Sequence, residues 1–223
     1  MLRSRRPLRV ATRFVASVLM VSGALLVLDA VTTLVWQEPI SWALAASRQS
    51  SLERELDRAP AFRGDYAAAA SAWGARARTG EPLGRISLPT LDREYVMVEG
   101  VGTRALRKGP GHYSDTPLPG QRGTVAVAGH RTTYLAPFRT IDRLRRGQLV
   151  VLDMPYGRFT YAVERTRTVE PSATEVKRPV GHDRLVLTAC HPLYSAARRI
   201  VVFARLLRAE PARDRVRGSG HSR

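Results

Sequence analysis

The residues in this chain that could do chemistry are a cysteine, a histidine and an arginine, each at one end of an apolar run. Cys190 is the only cysteine in 223 residues, and it follows the strand-like residues 185–189 directly before a turn. His130 ends a second run of this kind, and the pair Arg198 and Arg199 opens a third. A thiolate, an acid/base and a cation for an oxyanion are the groups that acyl transfer through a thioester requires.

Other residues compete for two of these roles. His191 adjoins Cys190, but neighbours on a strand point to opposite faces. His182 lies in a turn, where solvation is the ordinary interpretation, and His112 lies in a Gly/Pro-rich loop, where it could line a groove or cap a turn. His130 ends an apolar strand, so catalysis competes there with a satisfied structural histidine. The two arginines face opposite ways, and the pattern alone leaves the choice between them open.

The elements that must position these residues are predicted to be short and mostly β. Alternating or apolar runs bounded by turn residues predict about eight strands, and residues 103–107 and 135–144 have the pattern of two short helices. A β-dominated domain of this kind closes most readily into a barrel. The predicted strands are 85–88, 95–98, 124–130, 149–154, 159–165, 185–189 and 199–207, with one more short strand inside the loop 170–181.

The N-terminal part predicts a membrane anchor. Residues 14–36 form an almost unbroken apolar run, and about 20 apolar residues cross the hydrocarbon core. Five arginines and no acidic residue precede the run, which predicts that residues 1–13 stay in the cytoplasm and the remainder lies outside. We therefore predict a single-pass plasma-membrane protein with an extracellular linker at 37–81, a catalytic domain at 82–208 and a disordered tail at 209–223. A cleaved signal peptide is the alternative, but the run is longer than its apolar region.

Charge and cysteine content exclude several classes. The net charge is +17, yet only Lys108 and Lys177 of the 36 basic residues are lysines. Such arginine usage is typical of GC-rich codons, so the sequence predicts no nucleic-acid partner. A lone cysteine excludes an intrachain disulfide. Neither Cys-x-x-Cys nor His-Glu-x-x-His spacing occurs, so no metal and no cofactor is predicted.

At these residues the chain resembles the sortases, the cysteine transpeptidases that attach proteins to the Gram-positive cell wall, and among them class E, the actinobacterial housekeeping type. The resemblance covers about residues 85–207. This chain departs from the family's Thr-Leu-x-Thr-Cys motif, because Val186 and Ala189 stand in place of the two threonines. The shared motifs are Gly-Pro-Gly-His-Tyr at 109–113, Pro-Leu-Pro-Gly-Gln at 117–121, Ala-Gly-His-Arg-Thr-Thr-Tyr at 128–134, Ala-Pro-Phe at 136–138, Leu-Thr-Ala-Cys-His-Pro at 187–192 and Arg-Ile-Val-Val at 199–202.

The resemblance implies a sortase-like closed eight-stranded β-barrel and a catalytic set. Cys190 would be the nucleophile, His130 the acid/base and Arg199 the oxyanion cation, because the class E pattern places the arginine nine residues after the cysteine. Implied substrates are secreted proteins with a C-terminal Leu-Ala-x-Thr-Gly or Leu-Pro-x-Thr-Gly sorting signal, cleaved between Thr and Gly. The amine of a lipid-linked peptidoglycan precursor would then release the acyl-thioester. Substrate-binding residues are not assigned.

Two other functions compete with this one. A pilin-polymerising sortase would use the same chemistry with a lysine of a second protein as its nucleophile. A non-enzymatic, membrane-tethered barrel that binds wall polymers would leave Cys190 dispensable, and salt would weaken its binding. A wall-peptide cross-linking transpeptidase is disfavoured because its Ser-His-Gly-Cys pattern is absent.

Overall fold

A computed structural model of the chain describes residues 6–35, 39–60 and 64–212. The chain divides between Trp42 and Ala43 into two compact units. The first unit contains helix α1 (Arg6–Val35) and the beginning of α2 (Pro39–Asp57). Among the described helices, none has the length and apolar character that a membrane crossing needs. The predicted transmembrane helix at residues 14–36 and the single-pass topology derived from it are therefore not confirmed. Residues 1–5, 36–38, 61–63 and 213–223 of the predicted segments lie outside the described residues.

The second unit is built around a closed barrel of eight strands, as the sequence predicts. The order around the barrel is β1-β2-β3-β4-β7-β8-β6-β5. Neighbouring strands run antiparallel except for two parallel pairs, β2 with β3 and β4 with β7. The strands are β1 (Pro82–Leu88), β2 (Arg93–Glu99), β3 (Gly111–His112), β4 (Thr124–Ala128), β5 (Leu149–Met154), β6 (Gly157–Val169), β7 (Arg184–His191) and β8 (Arg198–Glu210).

Two local predictions are wrong. The helix predicted at 135–144 is only a 3-10 turn at Ile141–Arg143, because residues 134–136 have positive φ angles that no right-handed helix contains. The short strand predicted inside 170–181 is a 3-10 turn at Thr174–Lys177, and the eighth strand is β3. The predicted helix at 103–107 is present as α4 (Thr103–Leu106).

Strands β4, β7 and β8 are buried on both faces. Their inward side chains, including Val127, Leu187 and Val202, belong to the core inside the barrel. Their outward side chains form a second apolar cluster of Ala126, Val186, Val201 and Phe203, which is joined by Tyr113, Val169 and Val176. Burial on both faces explains why these strands read as continuous apolar runs rather than alternating ones.

Residues 43–57 of α2 and helix α3 (Tyr66–Gly74) pack on the barrel. Leu52 and Leu56 of α2 are buried against Val96 and Val98 of β2, while Ala69 and Ala70 of α3 belong to the inner core cluster.

Gln49 ties α2 to the barrel by hydrogen bonds. It is 8% exposed, and its side-chain oxygen accepts from the Val96 N–H at 2.7 Å. Its Nε2 donates to the Val96 carbonyl at 3.1 Å and to the Lys108 carbonyl at 2.7 Å. The Gln49 amide therefore satisfies both the N–H and the carbonyl of Val96, a β2 residue that does not pair with the short strand β3.

We expect Gln49→Ala to lower the free energy of unfolding by about 2 kcal/mol or more, because it leaves buried backbone groups of Val96 without partners. Chemical denaturation of the full chain measures the change. Ser50→Ala is the control, since the Ser50 hydroxyl is exposed and bonds only within its own helix, and we expect it to shift stability by less than about 0.5 kcal/mol. Equal stability of the two variants would contradict the prediction.

Candidate active site

The parallel pairing of β4 with β7 brings His130 beside Cys190. Ala128 lies opposite Thr188 in this ladder, and the Gly129 N–H extends it by donating to the Thr188 carbonyl at 3.0 Å. Two residues further along each strand are His130 and Cys190. Paired strands lie about 4.8 Å apart, so the register sets the two residues at adjacent strand ends.

The antiparallel pairing of β7 with β8 adds the arginine. Cys190 is the register partner of Arg199, and His191 is the partner of Arg198. Paired residues on antiparallel strands project to the same face, and alternation sets Cys190 on the same face as Thr188 and Val186. The structure thus collects His130, Cys190 and Arg199 at the ends of three neighbouring strands, on the outer wall of the barrel.

The two candidate arginines have different surroundings. Arg199 is half-buried, and its Nη1 donates to the carbonyls of Ala196 at 2.9 Å and Arg198 at 3.0 Å. The Arg198 side chain is 60% exposed and its Nε lies 3.6 Å from Glu170. Arg198 is thus a surface charge, whereas Arg199 lies across from the half-buried, free Cys190 thiol.

His130 is held in its neutral form by its surroundings. Burial lowers the pKa of the imidazole, and the positive charge of Arg107 lowers that pKa further. Its Nε2 is buried and has no hydrogen-bond partner within the described part of the chain. A neutral imidazole with a free nitrogen can accept a proton from a thiol and later return it.

Gly129 allows the chain to turn directly before His130. A Cβ at this position would lie 2.5 Å from a ring carbon of Phe138, which is fully buried. Since no side chain tolerates such a contact, only glycine fits between His130 and the Phe138 ring. The Phe138 N–H donates to the His130 carbonyl at 3.0 Å, so the same turn is fixed on its other side.

Arg131 connects the His130 turn to the Cys190 strand. It is 3% exposed, and its guanidinium donates to the Arg139 carbonyl at 3.0 and 3.2 Å and to the Cys190 carbonyl at 3.4 Å. It also forms an ion pair with Asp142 at 2.9 Å. The sequence shows Arg131 in a shared motif, but nothing in the pattern reveals that this arginine is buried.

The other histidines have their own partners. His191 Nδ1 accepts from Arg131 at 3.1 Å, away from the Cys190 side chain, as strand alternation predicts. His112 is 3% exposed and pairs with Glu99 at 2.9 Å, so it is a buried structural residue. His182 lies 3.6 Å from Glu164 on the surface of the barrel.

A small cavity continues the outer wall from Thr188 and Arg199. Its volume is about 100 Å³, and the turn at residues 170–177 covers it. Tyr113 and Thr188 share a hydrogen bond of 3.0 Å across it, and Lys177 packs on the Tyr113 ring at 4.6 Å. The sequence assigned no role to Tyr113, Thr188 or Lys177. No group of His, Cys, Asp or Glu within the described ranges could hold a metal ion.

Comparisons of the sequence and of the structure with known proteins match the same family. The Sortase domain model matches residues 86–207. The chain is 32% identical to Sortase D of Bacillus subtilis over 57% of its length and 65% of the relative, and 26% identical to Sortase SrtE1 of Streptomyces coelicolor over 94% of its length and 61% of the relative. It therefore spans less than two thirds of either relative. The structure of sortase E from Streptomyces avermitilis superposes with a TM-score of 0.56 and 36% identity, covering 60% of this chain and 93% of that one.

We expect the imidazole of His130 to titrate below the ordinary pKa of histidine, because burial and Arg107 both oppose its protonation. Histidine ring resonances followed by NMR from acid to neutral pH measure this pKa. The variant His130→Gln identifies the resonance by removing it. A His130 pKa at or above the ordinary value would contradict the neutral assignment.

Proposed function

The chain belongs to the sortase family, whose members are transpeptidases that anchor proteins to the cell wall, and from this premise we propose that it is a cysteine transpeptidase with Cys190, His130 and Arg199 as its catalytic residues. The observation that carries the proposal is the β4-β7-β8 register, in which Cys190 pairs with Arg199 and lies next to the extension of β4 that ends in His130. Nucleophile, base and cation then face one reacting carbonyl.

The first half of the reaction forms a thioester. His130 takes the thiol proton, and the Cys190 sulfur bonds to the carbonyl carbon of the scissile threonine. The carbonyl oxygen becomes an oxyanion that Arg199 stabilises. The C–N bond to glycine then breaks as His130 gives its proton to the leaving amine.

The second half transfers the acyl group. An amine attacks the thioester carbonyl and His130 accepts its proton. The C–S bond then breaks, and His130 returns the proton to the sulfur, which regenerates the Cys190 thiol and the neutral imidazole.

Arg199 has donors to spare for the oxyanion. Among the described residues its hydrogen bonds use Nη1 alone, which leaves Nε and Nη2 for the substrate. A guanidinium is also charged at every working pH.

We assign the chain to class E. Its 36% identity with sortase E from Streptomyces avermitilis supports this class, and the match to SrtE1 extends over 94% of the chain. The proposed substrates are secreted proteins with a C-terminal Leu-Ala-x-Thr-Gly or Leu-Pro-x-Thr-Gly signal, and the proposed acceptor is the amine of a lipid-linked peptidoglycan precursor. The two substrates meet at the outer side of the plasma membrane.

The test is turnover of fluorogenic Leu-Ala-x-Thr-Gly and Leu-Pro-x-Thr-Gly peptides by the full chain. We expect Cys190→Ala and His130→Ala to abolish cleavage, because the loss of a nucleophile or base costs many powers of ten in rate. His191→Ala is the control and should keep most activity, since its ring lies on the other face of β7. Mass spectrometry should detect the acyl-thioester on Cys190. A folded Cys190→Ala variant that still cleaves would exclude the thioester mechanism.

The arginine assignment makes a separate prediction. We expect Arg199→Lys to lose roughly a hundred- to a thousand-fold in kcat, as when other oxyanion donors are removed, because an ammonium does not reproduce the fork of N–H donors. Arg198→Lys should change kcat less than about two-fold, since its charge is exposed. The opposite ranking of the two variants on the same peptide would show that Arg198 serves the oxyanion.

A further inference from the structure

Nε2 of the His130 imidazole has, within the described ranges, no partner of the kind that commonly orients a catalytic histidine. In many sites a carboxylate or carbonyl accepts a hydrogen bond from one ring nitrogen and fixes the ring. Here Nε2 is buried without a partner among the described residues. Some other contact must therefore set the orientation of this ring.

The contact is with Tyr134. The two ring centroids are 5.2 Å apart and the ring planes are inclined by 47°, which lies within the range of attractive packing between aromatic rings. Tyr134 is half-buried, so part of its ring is covered where it meets the imidazole.

The backbone is bent to make this contact. Tyr134, Leu135 and Ala136 have φ angles of 50°, 66° and 43°, a left-handed region that residues with side chains rarely adopt. The buried Phe138 then anchors the chain again, and its N–H returns to the His130 carbonyl. Consecutive strained residues of this kind occur where the surrounding structure demands a particular geometry, and here that geometry returns the Tyr134 ring to His130.

Arg107 packs on the same tyrosine from a different part of the chain. Its guanidinium carbon lies 5.5 Å from the centre of the Tyr134 ring, within the range of a cation–π contact. Arg107 follows α4, so the stack of Arg107, Tyr134 and His130 connects that helix to the end of β4.

We propose that Tyr134, braced by Arg107, is a positioning residue that holds the His130 imidazole toward Cys190 by ring packing instead of by a hydrogen bond. The inference rests on the proposed role of His130 as acid/base. Tyr134 touches no reacting atom. It acts by restricting the orientations of the imidazole to those from which a proton can pass to and from the sulfur.

The test measures kcat and KM for the full chain on the sorting peptide in several variants. Tyr134→Phe keeps the ring and should retain wild-type kcat. Tyr134→Leu removes the ring and should lower kcat on the order of ten- to a hundred-fold with little change in KM, because a misoriented base loses part of its contribution. Tyr194→Leu is the matched control, since Tyr194 also stacks on an arginine, Arg139, at 5.9 Å, and it should leave kcat unchanged.

A double-mutant cycle separates positioning from a structural role. In a His130→Gln background, Tyr134→Leu should have no further effect on the residual rate, because there is no imidazole left to position. Wild-type kcat in Tyr134→Leu, or an equal loss in both backgrounds, would overturn the inference. If His130→Gln itself remained fully active, the proposed function would be wrong instead.

A second measurement does not depend on the stability of Tyr134→Leu. Tyr134 from its own loop packs on the His130 ring, and Arg107 from the segment after α4 acts on it through its charge. Cys190 of β7 and Arg199 of β8 lie at the neighbouring strand ends. Arg107→Gln removes a positive charge that opposes protonation, so the pKa of His130 should rise and the acidic limb of the kcat/KM profile should move to higher pH. The profile of Tyr134→Phe should not move. An unchanged profile for Arg107→Gln would show that Arg107 does not act on His130.

Discussion

The parallel register between β4 and β7 is the constraint on which the rest of this site depends. It aligns Ala128 with Thr188, and the antiparallel register of β8 aligns Arg199 with Cys190. A slip of one residue in either ladder would turn every side chain of the moved strand to the other face. Such a slip would exchange Cys190 for His191, or Arg199 for Arg198, at the outer wall. Backbone pairing therefore determines which side chains meet at the site.

Burial on both faces is what keeps that register unique. The inner core and the outer cluster of Ala126, Val186, Val201 and Phe203 are packed from side chains of different sizes, so a slip of one residue would move side chains into spaces that they do not fit. Arg131 adds a polar restraint, because its buried guanidinium needs the Arg139 and Cys190 carbonyls and the Asp142 carboxylate together. Loss of any of these partners would leave part of a buried charge uncompensated.

The sequence predicts much of this arrangement because its signals are local. Apolar runs that end in Cys190 and His130 reveal the buried strands and the polar groups at their ends, and strand parity separates Cys190 from His191. The sequence does not reveal features that depend on residues far apart in the chain. The i, i+3 spacing of Leu135, Phe138 and Ile141 imitates a helix, whereas these residues lie in a left-handed turn and a 3-10 turn. The two-residue β3 is too short to show a pattern, and the burial of Arg131 and Gln49 depends on distant partners.

The electrostatics of the site follow from the same geometry. Near His130 the chain supplies the cation Arg107, and the carboxylate of Asp142 is already paired with Arg131. A positive charge nearby disfavours an imidazolium. The histidine is consequently neutral at rest and becomes charged only when the thiol or an incoming amine gives up its proton. Since Nε2 of this ring has no hydrogen-bond partner within the described part of the chain, packing has to supply the orientation that a hydrogen bond supplies in other catalytic histidines. Ring packing with Tyr134 is the means that this fold provides.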